Sequence, residues 1–280
     1  MRQALFLLAV SACLPAAAGT GPECSFRVEV LTSANRNAMK RYRAEQIALL
    51  EKLNRADARH LARLKVLVAP SRWDLDELAY SPLPATYDWA RSREKVLVVD
   101  LTSQVFGAYE NGTLVRWGPV STGRKGDSTP AGVFHLNWWT KGRYSTVDPT
   151  WYMPWYFNFL DREGLAFHAY TLPGYPDSHA CVRMLERDAK WLCGWGRGTS
   201  CDESGDVARR GTTVVITGQY EYGAPPPWRS AKWWTHSIEL PSDPQEESGQ
   251  AKECGDCVTG QCPNDGGGIF PEGVGATTFR

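Results

Sequence analysis

The chain has no excess of either charge: 31 Lys and Arg stand against 31 Asp and Glu in 280 residues. No run of Lys or Arg concentrates positive charge locally. Phosphate-binding surfaces need a basic surplus, so nothing here points to a nucleic-acid partner. Long apolar runs are also lacking. Only residues 4–14 form one, and it is shorter than the roughly 20 residues a spanning helix needs, so no membrane span is expected. The tail cysteines Cys254, Cys257 and Cys262 have no histidine near them. That disfavours a zinc half-site and favours disulfides. What is present, 42% hydrophobic residues, suffices for one good core plus a smaller unit.

Arg2, the apolar run and Ala16-Ala17-Ala18-Gly19 read as a secretory signal over residues 1–18, cleaved after Ala18. The mature protein is expected in the periplasm or cell envelope of a bacterium. A rival reading takes Val10-Ser11-Ala12-Cys13 as a lipobox, which anchors the protein through a lipid on Cys13. Removing Cys13 and reserving Cys181 as a nucleophile leaves Cys24, Cys193, Cys201, Cys254, Cys257 and Cys262 to pair in an oxidising compartment. Cys193 and Cys201 bracket a glycine-rich loop and are expected to form one bridge.

The stretch GLAFHAYTLPGYPDSHACVR, residues 164–183, concentrates the reactive groups. A buried strand over residues 165–167 delivers His168. Pro173, Gly174, Pro176 and Asp177 then turn the chain, so that Ser178-His179-Ala180-Cys181 returns beside it. Acyl transfer through a thiol needs a nucleophile, an imidazole and backbone N–H groups for the oxyanion, and this segment has all three.

Ser178-His179-Ala180-Cys181-Val182-Arg183 resembles the SHGC[IV]R signature of the L,D-transpeptidases (the ErfK/YbiS/YcfS/YnhG-like, YkuD family), and His168 matches the histidine preceding it there. Val98-Val-Asp-Leu-Thr-Ser-Gln104, Tyr109-Glu-Asn-Gly112, Val120-Ser-Thr-Gly123 and Thr129-Pro-Ala-Gly-Val-Phe134 follow in the family's order. The resemblance spans about residues 95–217. It implies a mainly β catalytic fold and a transferase of peptidoglycan and cell-wall biogenesis. It also implies that Cys181 attacks a donor tetrapeptide between meso-diaminopimelate and a terminal D-alanine. His168 is then the base, its tautomer fixed by the Ala169 carbonyl, and pairing with it is expected to raise the thiolate fraction of Cys181. His179 shapes the oxyanion site, the N–H groups of Ala180 and Cys181 hold the negative charge, and Ser178 supports the turn. Arg183 suits a substrate carboxylate. No metal or organic cofactor is required. The family has glycine where this chain has Ala169 and Ala180. If either position takes positive φ, alanine there is strained. His135 reads as structural, and His60 and His236 as surface groups.

Residues 26–70 form a first unit. Ile47, Leu49, Leu50 and Leu53 lie at helical spacing within an expected helix over residues 41–53, and a second helical turn is expected at 58–64. The second half of this unit resembles a lysin motif, a βααβ module that contacts glycan, though no Gly-Asp-Thr-Leu element follows the first strand. The bland alternative is a helical pair packed on the next domain. Residues 71–94 read as a linker. Residues 95–220 read as a β-sandwich or barrel of many short strands, with a hairpin at Asn111-Gly112 and one helix at 186–192. The aromatic run over residues 138–159 is either a thick core or a sugar- or peptide-binding surface. Residues 221–280 form a Pro- and Gly-rich tail, largely disordered, from which Trp228, Trp233 and Trp234 can dock back.

The expected activity is therefore an exported cysteine transpeptidase joining stem peptides, or attaching a protein to them, with a donor stem and an acceptor amine as partners. The alternatives are a hydrolase of the same fold, in which water takes the acyl group, and a non-catalytic wall-binding protein.

Overall fold

The computed structural model describes residues 25–31, 40–230, 233–235 and 237–245. The expected signal sequence, Cys13, Cys24, His236 and the tail cysteines lie outside the described residues. Among the described residues no helix is long and apolar enough to cross a membrane.

The amino-terminal unit runs β1 (Phe26–Val30), α1 (Ala44–Asn54), α2 (Ala58–Leu61) and β2 (Val66–Pro70). β1 pairs antiparallel with β2, Phe26 opposite Pro70. Leu31, Leu50, Leu61, Leu64 and Leu67 fill its own small core. Asn54, wholly buried, ties helix to strand: its amide donates to the carbonyls of Leu50 and Val68 and accepts from Val68 N–H. The apolar stripe of α1 is divided between two cores. Leu50 faces inward, whereas Leu49 and Leu53 pack with Val96, Val98 and Trp117 of the large sheet. The unit thus has the βααβ order and is also packed on the domain that follows. His60 is not a free surface group, because its Nδ1 lies 2.8 Å from Asp57 Oδ2.

Residues 71–94 do more than connect. Short 3-10 turns at Glu77–Tyr80 and Asp88–Ala90 seat Tyr80, Leu83, Tyr87 and Ala90 against the outer face of the sheet.

That sheet comprises β3 (Lys95–Asp100), β4 (Val105–Glu110), β5 (Thr113–Ser121), β6 (Gly132–His135), β7 (Trp139–Tyr144), β8 (Tyr152–Leu160), β9 (Leu165–Ala169), β10 (Val182–Met184) and, after helix α3 (Glu186–Trp195) and the small hairpin of β11 (Ser200–Cys201) and β12 (Val207–Arg209), β13 (Thr213–Thr217). The strand order is β6-β13-β3-β4-β5-β10-β9-β8-β7. Pairing is parallel for β13 with β3 and β9 with β10, and antiparallel elsewhere. The fold is mainly β, as expected. The Val96-Leu-Val-Val99 run is continuously apolar because both faces of β3 are covered: Leu97 and Val99 point into one core, Val96 and Val98 into the other. Asn111 and Gly112, both at positive φ, make the β4–β5 turn.

The sheet curls until its ends meet. Just beyond β6, Asn137 N–H donates to Asn158 O of β8, and Asn158 N–H returns to Trp138 O. Ala189, Leu192 and Trp195 of α3 fill the space enclosed. The expected Cys193–Cys201 bridge does not form. Cys193 lies on α3 with its side chain in this core, a free and buried thiol, while Cys201 is disulfide-bonded elsewhere. The helix, which extends past the expected end at residue 192, turns Cys193 inward and away from the loop.

The carboxy-terminal segment docks further than its tryptophans alone suggest. Trp228 is buried beside the Arg55 guanidinium, Ile238 N–H donates to Pro82 O, and Tyr87 OH donates to Pro241 O.

Candidate active site

Two neighbouring parallel strands carry the reactive residues. His168 on β9 stands opposite Arg183 on β10, and Cys181 immediately precedes β10. The loop between them is fixed from β5 and the turn after it. Asp177 N–H and Ser178 N–H both donate to Thr122 O, Arg124 N–H donates to Ser178 O, and Ser121 Oγ donates to Tyr175 O. Thr129 Oγ1 accepts from Gly123 N–H and donates to Ala180 O at 2.8 Å. Gly123 admits no side chain, since a Cβ there would lie 1.9 Å from Asp127 O. Gln104 completes the support, buried and bonded to Thr122 through N–H and hydroxyl. The Val-Ser-Thr-Gly and Thr-Pro-Ala-Gly segments are therefore the scaffold of the Ser178–Cys181 turn. They stand out in the sequence as motifs, but a role for Gln104, Gly123 and Thr129 emerges only from these bonds. Their small and hydroxyl side chains at turn positions were the available signal.

His168, Ser178, His179, Cys181 and Arg183 all line one cleft of about 360 Å³. His168 is 4% exposed, and its Nδ1 lies 3.1 Å from the Ala169 carbonyl. A carbonyl only accepts, so Nδ1 carries the proton and Nε2 is left as the basic nitrogen. Burial pushes the imidazole down to about 4. Cys181 is half-buried, its Sγ 3.9 Å from Gly164 O, and desolvation raises its thiol. The electrostatics thus oppose the expected rise in thiolate fraction. Both groups rest neutral, a thiol and an imidazole that line the same cleft.

Ala180 adopts φ 72°, in the left-handed region, whereas Ala169 lies in strand β9 and does not. Of the two alanines standing where the family has glycine, only Ala180 is strained. Among the described residues, neither Ala180 N–H nor Cys181 N–H is bonded to a protein acceptor. Ser178 Oγ donates to Cys181 O. His179 packs on Trp151 with ring centres 4.9 Å apart, and its Nε2 lies 2.6 Å from an Arg124 guanidinium nitrogen. Arginine only donates, which puts the His179 proton on Nδ1. That atom is buried without a partner. Arg183 is already engaged, donating to Asp177 at 2.8 Å and stacked 4.8 Å from the Tyr170 ring.

The aromatic run is divided between core and cleft wall. Phe157 and Phe159 are core, and Trp138, Trp151 and Tyr156 line the cleft.

A thiol and a neutral imidazole in one cleft, with unengaged backbone donors in the turn that carries the thiol, are the parts that acyl transfer requires. Residues 94–216 match the family described as the L,D-transpeptidase catalytic domain, YkuD. Solved structures similar to it include an L,D-transpeptidase from Stackebrandtia nassauensis, at 25% identity over 46% of this chain and 57% of that one, TM-score 0.37. Another, from Xylanimonas cellulosilytica DSM 15894, is 25% identical over 63% of this chain and 81% of that one, TM-score 0.42. A third, from Mycobacterium smegmatis, is 16% identical over 44% and 58%, TM-score 0.36. The matched region spans well under two thirds of the first and third of these proteins. The search of curated proteins returned no match.

Proposed function

We propose that this chain is an exported cysteine acyltransferase that takes the acyl group of a peptidoglycan stem peptide as a thioester on Cys181. The observation carrying this reading is the convergence of Cys181, His168 and His179 on one cleft within the L,D-transpeptidase domain. The amino-terminal 18 residues support export to the periplasm.

Cys181 Sγ attacks the carbonyl carbon that precedes the terminal residue of the donor stem, and its proton passes to His168 Nε2. Because both groups rest neutral, transfer accompanies attack and no ion pair precedes it. The carbonyl oxygen becomes an oxyanion held by the N–H groups of Ala180 and Cys181. On collapse the C–N bond breaks and His168 returns its proton to the leaving amine, leaving the thioester. An acceptor amine then attacks the thioester carbonyl, gives its proton to His168 and expels the Cys181 thiolate, which His168 reprotonates. The Ala169 carbonyl keeps Nδ1 protonated throughout.

The test is mass spectrometry of tetrapeptide muropeptides incubated with the mature protein and with Cys181→Ala. Cross-linked dimers formed only by the unaltered protein are expected. Tripeptides alone, still dependent on Cys181, identify water as the acceptor. Untouched muropeptides, together with an unshifted protein mass after exposure to a carbapenem, would overturn the reading in favour of a binding protein.

A further inference from the structure

Five charged side chains line the cleft: Arg143, Arg162, Arg183, Asp161 and Glu163. A stem peptide ends in a carboxylate one residue beyond the bond to be cleaved, so one of the three arginines has to meet it if the charge contributes to recognition. Arg183, the cation that the signature suggests, has little capacity left. Its guanidinium donates to Asp177, stacks on Tyr170 and has a side chain only 11% exposed. Arg162 sits exposed in the turn between β8 and β9, where water screens it.

Arg143 differs from both. It lies on β7, half-buried. Its guanidinium carbon lies 5.0 Å from the Tyr156 ring centre and 5.5 Å from that of Trp138. Both rings are themselves held in place, because Tyr156 OH donates to Gly164 O and the Trp138 indole N–H donates to Asp161. A cation held over aromatic rings spends none of its N–H groups on that contact, which leaves the five donors of a guanidinium available. Among the described residues no carboxylate lies in ion-pair range of Arg143, and its side chain makes no hydrogen bond. The cation also belongs to the surroundings of the nucleophile, since Arg143 and Arg183 both favour the charged form of Cys181. A fixed, partly desolvated fork with unengaged donors, facing a cleft beside the reacting thiol, matches the planar geometry of a carboxylate.

We propose that Arg143 is the anchor for the terminal carboxylate of the acyl donor, held in position by Trp138 and Tyr156. This rests on the acyl-transfer reading of the same cleft. The anchor holds the residue that becomes the leaving group and so aligns the scissile carbonyl with Cys181. Arg183 is then a positioning residue that ties the Asp177 end of the loop to β10.

Binding measured without turnover separates this inference from the reaction itself. In the Cys181→Ala background, calorimetry would compare a tetrapeptide stem bearing a free terminal carboxylate with the same peptide as its terminal amide. The free acid is expected to bind at least tenfold more tightly. Arg143→Gln is expected to abolish that preference, and Arg162→Gln to keep it. Arg143→Gln should keep the circular dichroism spectrum and the cooperative urea unfolding of the unaltered protein, showing that the fold around the cleft is retained. Equal binding of acid and amide, no binding of either, or a preference that survives Arg143→Gln overturns the proposal. Loss of turnover with the binding preference intact instead tells against the acyl-transfer mechanism and leaves the anchor standing.

Discussion

At the scale of single residues, Ala180 and His168 each make a measurable prediction. Left-handed backbone costs an alanine roughly 1–2 kcal/mol, and glycine gives part of that gain back through the entropy of its unfolded chain. Ala180→Gly at φ 72° is therefore expected to stabilise the protein by about 0.5–1 kcal/mol in denaturant unfolding. Ala169→Gly, at the buried end of β9 without a positive φ, should destabilise it by a similar amount. Opposite signs at two positions with the same substitution are the signature of strain confined to the turn. For His168, burial holds the imidazole at about 4, below its ordinary 6.5. A base active in its neutral form then works down to low pH. The acid limb of Cys181 acylation is expected near pH 4, and a limb near 6.5 would contradict the assigned environment. The same shift acts on folding. Between pH 6.5 and about 4 the unfolded chain binds the proton that the folded one refuses, so stability is complete above 6.5 and declines on acidification. The loss from this group is on the order of 3 kcal/mol, read from urea midpoints across that window.

At the scale of elements, the support beneath the nucleophile turn comes from a distant part of the chain. Thr129 Oγ1 holds Gly123 N–H and Ala180 O at once. Thr129→Val keeps the shape and removes both bonds. It should cost about 1–3 kcal/mol in stability through groups left unpaired and slow Cys181 acylation by about tenfold or more, followed by intact mass against time. What the sequence made legible and what it did not divide along this line. Periodicity exposes a strand such as β3, whose two faces are both covered, and turn chemistry exposes Asn111-Gly112, because both signals are local. His168 and Cys181 were legible as a spaced set of reactive residue types. The free thiol of Cys193 was not, since it depends on how far α3 continues and which way it faces. Nor was the engagement of Arg183 by Asp177, or the vacant fork of Arg143, because a guanidinium's partners are settled only when separate strands meet.

At the scale of the whole molecule, the amino-terminal unit is joined to the catalytic sheet by buried polar contacts as well as by Leu49 and Leu53. Lys52 Nζ donates to Trp117 O at 2.6 Å, Arg55 Nε donates to Ser103 O at 2.9 Å, and buried Glu51 accepts from the exposed Arg187 of α3. Contacts of this kind cannot be broken one side at a time without leaving a desolvated charge, which is why they hold units in one relative position. One of them reaches the active-site loop. Asp57 N–H donates to Leu172 O, its Oδ2 accepts from Leu172 N–H at 2.8 Å, and Ala56 bridges Pro173. The same carboxylate caps α2 by accepting from Arg59 and His60. Asp57 therefore clamps the loop that begins just after His168 and ends at Cys181, from a unit that contributes no residue to the cleft. Asp57→Ala removes the cap, worth about 1 kcal/mol, and the acceptor for Leu172, worth about 1–3 kcal/mol if that N–H stays buried. If the clamp also aligns the loop, the variant should acylate Cys181 more slowly per folded molecule at a temperature where it is fully folded. A stability loss with an unchanged acylation rate would show that the amino-terminal unit supports the fold and leaves the geometry of the nucleophile to β5 and Thr129.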